Sequence, residues 1–189
     1  MARPRSPDTD QRIFAAAAKL VAEHGYADTA LEAVAREAGV GKTTLYRRWP
    51  SKPALMAACY AHLVPAGDFG ADTGSFAGDL THLLGHLFRR YRATPAARIL
   101  AGLIARAQDN PETLTALHGG IIEGRRDIIT EAARRALGRG ERLQVATPEQ
   151  ANDLVVALVW HRLLTDPNGL DDAYADHIVR TLLAKETSS

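Results

Sequence analysis

The segment Thr29–Leu55, TALEAVAREAGVGKTTLYRRWPSKPAL, constrains this chain more than any other stretch. Thr29 and Glu32 have the spacing of a capping box, in which each side chain satisfies an orphan backbone donor at a helix start. Leu31, Val34, Ala35 and Ala38 follow at helical spacing, and Gly39 supplies the left-handed residue that ends a helix tightly. A second short helix starting at Gly41 then carries Lys42, Thr43 and Thr44 in its first turn, with Leu45 facing inward among polar hydrogen-bonders. Ser51-Lys52-Pro53 opens a third helix, because a serine cap followed by proline in the first turn is a start signal. That helix should run to about Val64. Two short helices joined at a glycine, the second one polar, form the pattern of a helix-turn-helix that lays its second helix in the DNA major groove.

Gly41-Lys42-Thr43 also resembles the end of a nucleotide-binding phosphate loop. That motif needs a glycine five residues before Gly41, where this chain has Arg36, and it needs a preceding strand. Glu32–Ala38 is alanine-rich and helix-forming instead, which argues against a nucleotide hydrolase. Charge supports the groove-binding reading. The net charge of +1 is unevenly spread: residues 1–64 carry nine Lys or Arg against six Asp or Glu, and residues 65–189 carry fourteen against sixteen. Lys42, Arg47, Arg48 and Lys52 lie in an interval without acids, a local patch suited to a polyanion. Arg3 and Arg5, in a proline-containing arm, could enter an adjacent minor groove.

The rest of the chain is read as helical throughout. Ile13, Ala16, Ala17, Leu20 and Val21 define the buried face of a first helix ending at Gly25. Further helices are expected near 75–93, 95–108, 111–138, 148–164 and 171–185. Thr94-Pro95, Asn110-Pro111 and Thr147-Pro148 punctuate them, and Pro65–Gly74 reads as a linker. The fold class expected is all-α. Cys59 is the only cysteine, so an internal disulfide is excluded and a reducing cytoplasm is the expected location. MARPRSPDTD lacks the apolar segment of a signal peptide, and no apolar run approaches the roughly 20 residues of a membrane span.

The segment around residues 10–60 resembles the DNA-binding domain of the TetR family of bacterial transcriptional regulators. The resemblance is carried by His24-Gly25-Tyr26, Thr29, Ala38-Gly39-Val40, Thr44-Leu45-Tyr46, and Ser51-Lys52 before Ala54-Leu55. It implies a homodimer of all-helical subunits. Each would have a three-helix DNA-binding domain at 1–51, a connecting helix at 51–64, and an effector-binding and dimerisation domain at 65–189. The DNA contacts it implies are Thr29, Lys42, Thr43, Thr44, Tyr46, Arg47 and Lys52. Gly41 replaces a common serine, and Arg48-Trp49 replaces the commoner His-Phe, so Arg48 becomes a further candidate phosphate contact. Trp49 is expected to pack the helix end on the domain core.

Dimerisation through the last two helices is likewise implied, with Val155, Val159, Leu163, Tyr174 and Ile178 as candidate interface residues. Apolar residues on more than one face of 148–164 agree with burial on two sides. An unidentified small-molecule effector is expected in a pocket offering polar groups among aliphatics. Its candidate residues are Tyr60, His82, His86, Tyr91, Gln108 and Trp160, with His118 a further possibility. His82 and His86 sit four apart, but HLLGH has no accompanying ligands to complete a metal site, and none is expected. No cofactor and no catalytic residue is expected. The function expected is a repressor released from a palindromic double-stranded operator. An activator or an effector-independent DNA-binding protein would use the same motif, and a small all-α enzyme or carrier is the reading from another class.

Overall fold

The computed structural model describes residues 7–183, and Arg3 and Arg5 lie outside them. Ten α-helices are described: α1 Pro7–Asp28, α2 Leu31–Glu37, α3 Lys42–Arg48, α4 Lys52–Leu63, α5 Phe76–Ala93, α6 Ala96–Ala107, α7 Pro111–Leu117, α8 Glu123–Gly138, α9 Pro148–Thr165 and α10 Asp172–Leu182. A single antiparallel bridge, Leu143 to Leu183, is the extended pairing among the described residues. No helix there is long and apolar enough to cross a membrane.

The proline-punctuated starts form as their chemistry dictates. Asn110 Oδ1 accepts from the Thr113 amide at 2.8 Å, and Thr147 Oγ1 accepts from the Gln150 amide at 3.2 Å. Each proline then occupies the first turn, where its missing N–H costs no helical bond. Gly39 adopts φ 64° between α2 and α3, the left-handed turn that a side chain would strain. Gly25 at φ 81° breaks the path of α1, and one further turn of helix follows it.

Two compact units form. Among the described residues the first comprises 7–64 together with Tyr91–Ile122; the second comprises Pro65–Arg90 together with 123–183. The reason lies in α6. Its face of Ile99, Leu100, Leu103 and Ile104 is buried, and within the first unit α6 packs on α1, α4 and α7. Gly102 lets Tyr26 of α1 seat on α6, since a Cβ there would lie 2.2 Å from the Tyr26 ring. Arg98 Nη1 donates to the Ala22 carbonyl at 2.7 Å and ties the same two helices together.

The helix expected over 111–138 is interrupted. His118–Ile122 forms a π turn that joins α7 to α8. Such a widened turn needs a local reason, and Gly120 offers one: a Cβ there would stand 2.9 Å from Ala57 Cβ of α4. In the second unit α8 packs on α9, and α9 on α10. The stretch expected as a linker is ordered by side-chain contacts. It contains a short 3-10 turn at Ala66–Asp68 and buries Phe69. Cys59 is fully buried, and burial pushes its thiol up to about 12, which leaves it an unreactive core residue.

Candidate nucleic-acid interface and ligand cavity

Seven residues build α3, and one of them anchors it. Leu45 is fully buried, so the residues on the opposite side turn outward together. Lys42, Thr43, Tyr46 and Arg47 are exposed and Thr44 is half-buried. Neither Lys42 nor Arg47 donates a hydrogen bond or forms an ion pair among the described residues. Tyr46 is 40% exposed, and its hydroxyl donates to Glu32 Oε1 at 2.7 Å, which braces α3 against α2. That bond raises the Tyr46 pKa and lowers that of Glu32. Trp49 takes the structural role expected of it: its ring lies 5.2 Å from Phe14, which in turn stacks on His62 at 5.0 Å. The segment before Gly41 is helix α2, not the strand a phosphate loop requires.

Three of the residues expected to touch DNA make contacts within the chain. Thr29 is 2% exposed, and its hydroxyl donates to the Gly25 carbonyl at 2.7 Å, so it closes the kink of α1. The expected capping box is therefore absent: Ala30 is the N-cap of α2, without a side-chain cap, and Glu32 receives Tyr46. Arg48 forms an ion pair with Asp10 of α1, with 13% of its side chain exposed. It anchors the end of α3 rather than facing outward. Lys52 Nζ donates to the Ala27 carbonyl at 2.8 Å and lies 4.7 Å from the Tyr26 ring centroid. Burial, then the positive charge of Arg106, lower its pKa against the opposing pull of Asp28. Each of the three pins α1 to the elements that follow it.

The second unit contains a cavity of ≈ 330 Å³ lined by the 66–71 stretch, the first half of α5, and α8. Phe69, Phe76, Leu80, Leu83 and Ile129 supply its apolar wall. One edge is held by Asp79, whose side chain is 2% exposed. Its Oδ1 accepts from the Thr73 amide at 2.7 Å and the Thr73 hydroxyl at 2.8 Å, and its Oδ2 accepts from Arg135 Nη2 at 2.9 Å. Arg135 Nη2 also donates to the Ala71 carbonyl at 2.7 Å. Burial alone would raise the Asp79 pKa; the Thr73 amide, Arg135 and the Thr73 hydroxyl outweigh it and hold the carboxyl below its ordinary range.

None of the residues expected in a pocket lines this cavity. Tyr60 and Tyr91 are buried in the first unit, their hydroxyls 2.8 Å apart, each satisfying the other as core polar groups must. His82 is exposed and His86 half-buried, with ring centroids 4.4 Å apart on the surface of α5. Gln108 is exposed at the end of α6, where its Nε2 donates to the Ile104 carbonyl at 3.2 Å. His118 begins the π turn, and Trp160 is half-buried on α9.

The candidate dimer residues lie on inward faces of α9 and α10. Val155, Val159, Leu163, Tyr174 and Ile178 are 1%, 4%, 3%, 9% and 0% exposed within one chain, because α9 and α10 bury these faces on their own unit. The outward side of α9 instead carries Val156, Trp160 and Leu164, the last 51% exposed. These lie four apart and form one stripe.

Comparison with known proteins adds an independent line. Residues 13–59 match the model of the bacterial regulatory proteins of the tetR family, and residues 71–182 match a tetracyclin repressor-like C-terminal domain. A DNA-binding transcriptional repressor TetR from Mycobacteroides abscessus is 32% identical, covering 90% of each chain. The crystal structure of the TetR family transcription regulator SCO0332 is 33% identical with a TM-score of 0.73, covering 91% of this chain and 94% of that one. FadR from Bacillus subtilis, solved in complex with stearoyl-CoA, shares the fold at 16% identity and a TM-score of 0.71, covering 90% of this chain and 98% of its own.

Proposed function

The chain belongs to the TetR family of bacterial transcriptional regulators, and we propose that it grips a palindromic operator through Lys42, Thr43, Thr44, Tyr46 and Arg47 and is released by a small molecule. As a member it is a DNA-binding transcriptional regulator; the contacts, the operator symmetry and the effector are the proposal. The observation that carries the contacts is the outward pair Lys42 and Arg47, neither in a hydrogen bond nor an ion pair among the described residues, on a helix fixed by buried Leu45. Arginine and lysine reach guanine acceptors in the major groove, and threonine offers a hydroxyl and a methyl to base edges. Tyr46 is 40% exposed beside them on the same helix.

In this reading a homodimer forms through the outward stripe of α9, Val156, Trp160 and Leu164, and two-fold symmetry then requires paired half-sites. The effector occupies the cavity of the second unit. It acts only if it binds one conformer more tightly than the other, since equal affinity shifts nothing. Helix α4 leads from the DNA-binding helices to α6, α7 and the π turn, and carries the change. Selection from a pool of random duplexes tests the proposal. The expected product is a palindrome with half-sites about 34–36 Å apart, one helical turn or a multiple of it. Enrichment of an asymmetric site, or no enrichment, would overturn it.

A further inference from the structure

We propose that the cavity of the second unit takes a compact amphipathic organic cation, its apolar body over the lining of α5 and α8 and its charge beside Asp127. This deepens the ligand-responsive reading above, on which it rests, by naming the ligand's chemical class. Size is the first argument. A volume of ≈ 330 Å³ sits at the small end of ligand pockets, which run from about 300 to 1,000 Å³, and suits a single ring with a short substituent.

Charge is the second. The charged residues lining the cavity are Asp79, Asp127, Glu131 and Arg135. The one base among them is already used: Arg135 is shared between the Asp79 carboxylate and the Ala71 carbonyl. Drawing it toward an anionic ligand would strand the buried Asp79 carboxylate. Glu131 is paired with Arg134 at 2.5 Å. Asp127 is exposed and has neither a hydrogen bond nor an ion pair among the described residues. The unneutralised charge at this site is therefore negative.

The apolar wall adds the third argument. Phe69, Leu83 and Ile129, 4%, 8% and 7% exposed, give the space an apolar lining with no positive charge of its own. A neutral apolar molecule would cover the same wall but leave Asp127 unengaged. An anion would meet uncompensated negative charge. Only a cation satisfies both parts of the lining.

Calorimetric titration of the full chain tests this with three probes of similar size: benzyltrimethylammonium, 3-phenylpropanol and 3-phenylpropanoate. Wild type is compared with Asp127→Asn and with Leu83→Trp, which fills the cavity, and operator binding is followed in the same samples. The cation should bind tightest, with the carboxylate weaker by more than about tenfold. Asp127→Asn should weaken the cation by about threefold to fivefold, the scale of a partly exposed charge pair, without weakening the alcohol. Leu83→Trp should remove binding of all three; should it not fold, the surface variant Asp127→Asn still decides. Equal affinities for the three probes, a preference for the carboxylate, or an unmoved cation affinity in Asp127→Asn would overturn the proposal. Absence of cation binding by a protein that still holds its operator overturns the ligand class and leaves the regulator reading standing. Cation binding with the expected profile but no change in operator affinity supports the class and contradicts release by this cavity.

Discussion

Four bases in the motif look alike in sequence, yet the structure gives them two different jobs. Lys42 and Arg47 stand outward, neither in a hydrogen bond nor an ion pair among the described residues, whereas Arg48 meets Asp10 and Lys52 meets Ala27 and the Tyr26 ring. The distinction was not legible because both inward partners come from α1, distant in sequence and brought near only by packing. Thr29 misled for a related reason: a threonine three before a glutamate suits a cap, but the kink at Gly25 offers its hydroxyl a closer carbonyl. Arg48→Ala should therefore act on stability. Removing one member of a largely buried pair strands Asp10, and thermal unfolding should report a loss of about 2–3 kcal/mol. The slope of operator affinity against salt should stay near the wild-type value, since a phosphate contact would change it by about one. A flattened slope with unchanged unfolding would instead return Arg48 to the DNA face.

Helices themselves were largely legible. Cap-proline signals and helical spacing locate the starts of α4, α7 and α9, because they act within a few residues. The π turn was not, since it answers to a contact between Gly120 and Ala57 of a different helix. Gly102 and Gly124 both lie inside helices, in different surroundings. Gly102 is a seat for Tyr26, so Gly102→Ala should cost about 1–3 kcal/mol by overpacking the α1–α6 contact. Gly124, in α8, would carry its Cβ into open space, and Gly124→Ala should stabilise by about 0.5–1 kcal/mol. Chemical denaturation of the two variants checks the pair; a loss of stability in both would show the α8 surface to be occupied.

At the scale of the whole molecule, the all-helical class and the helix-turn-helix were legible in sequence, while the division into compact units and the cavity came from packing alone. The cavity's wall includes a stretch that composition marks as linker, ordered by Asp79 and Arg135 across 56 positions. Asp79 ionises below its ordinary value of 3.8, so its stabilisation is complete above that pH and is lost as pH falls through the depressed folded value. Asp79→Asn should lower stability by about 3 kcal/mol at neutral pH and flatten the acid limb of the unfolding curve. An unchanged acid limb would remove Asp79 from the account. Assembly depends on another surface: Trp160→Lys with Leu164→Glu should give monomers by light scattering, where the wild type gives dimers. Persistence of dimers would place the interface elsewhere.

The central claim, that the outward face of α3 reads sequence, is tested most directly by the discrimination ratio of Arg47→Ala. Affinity for the selected palindrome and for a scrambled duplex is measured at one salt concentration for wild type and variant. The account predicts a loss of about 1–3 kcal/mol on the palindrome, a smaller loss on the scrambled duplex, and therefore a lower ratio. Equal losses on both duplexes would make Arg47 a backbone contact and contradict the claim.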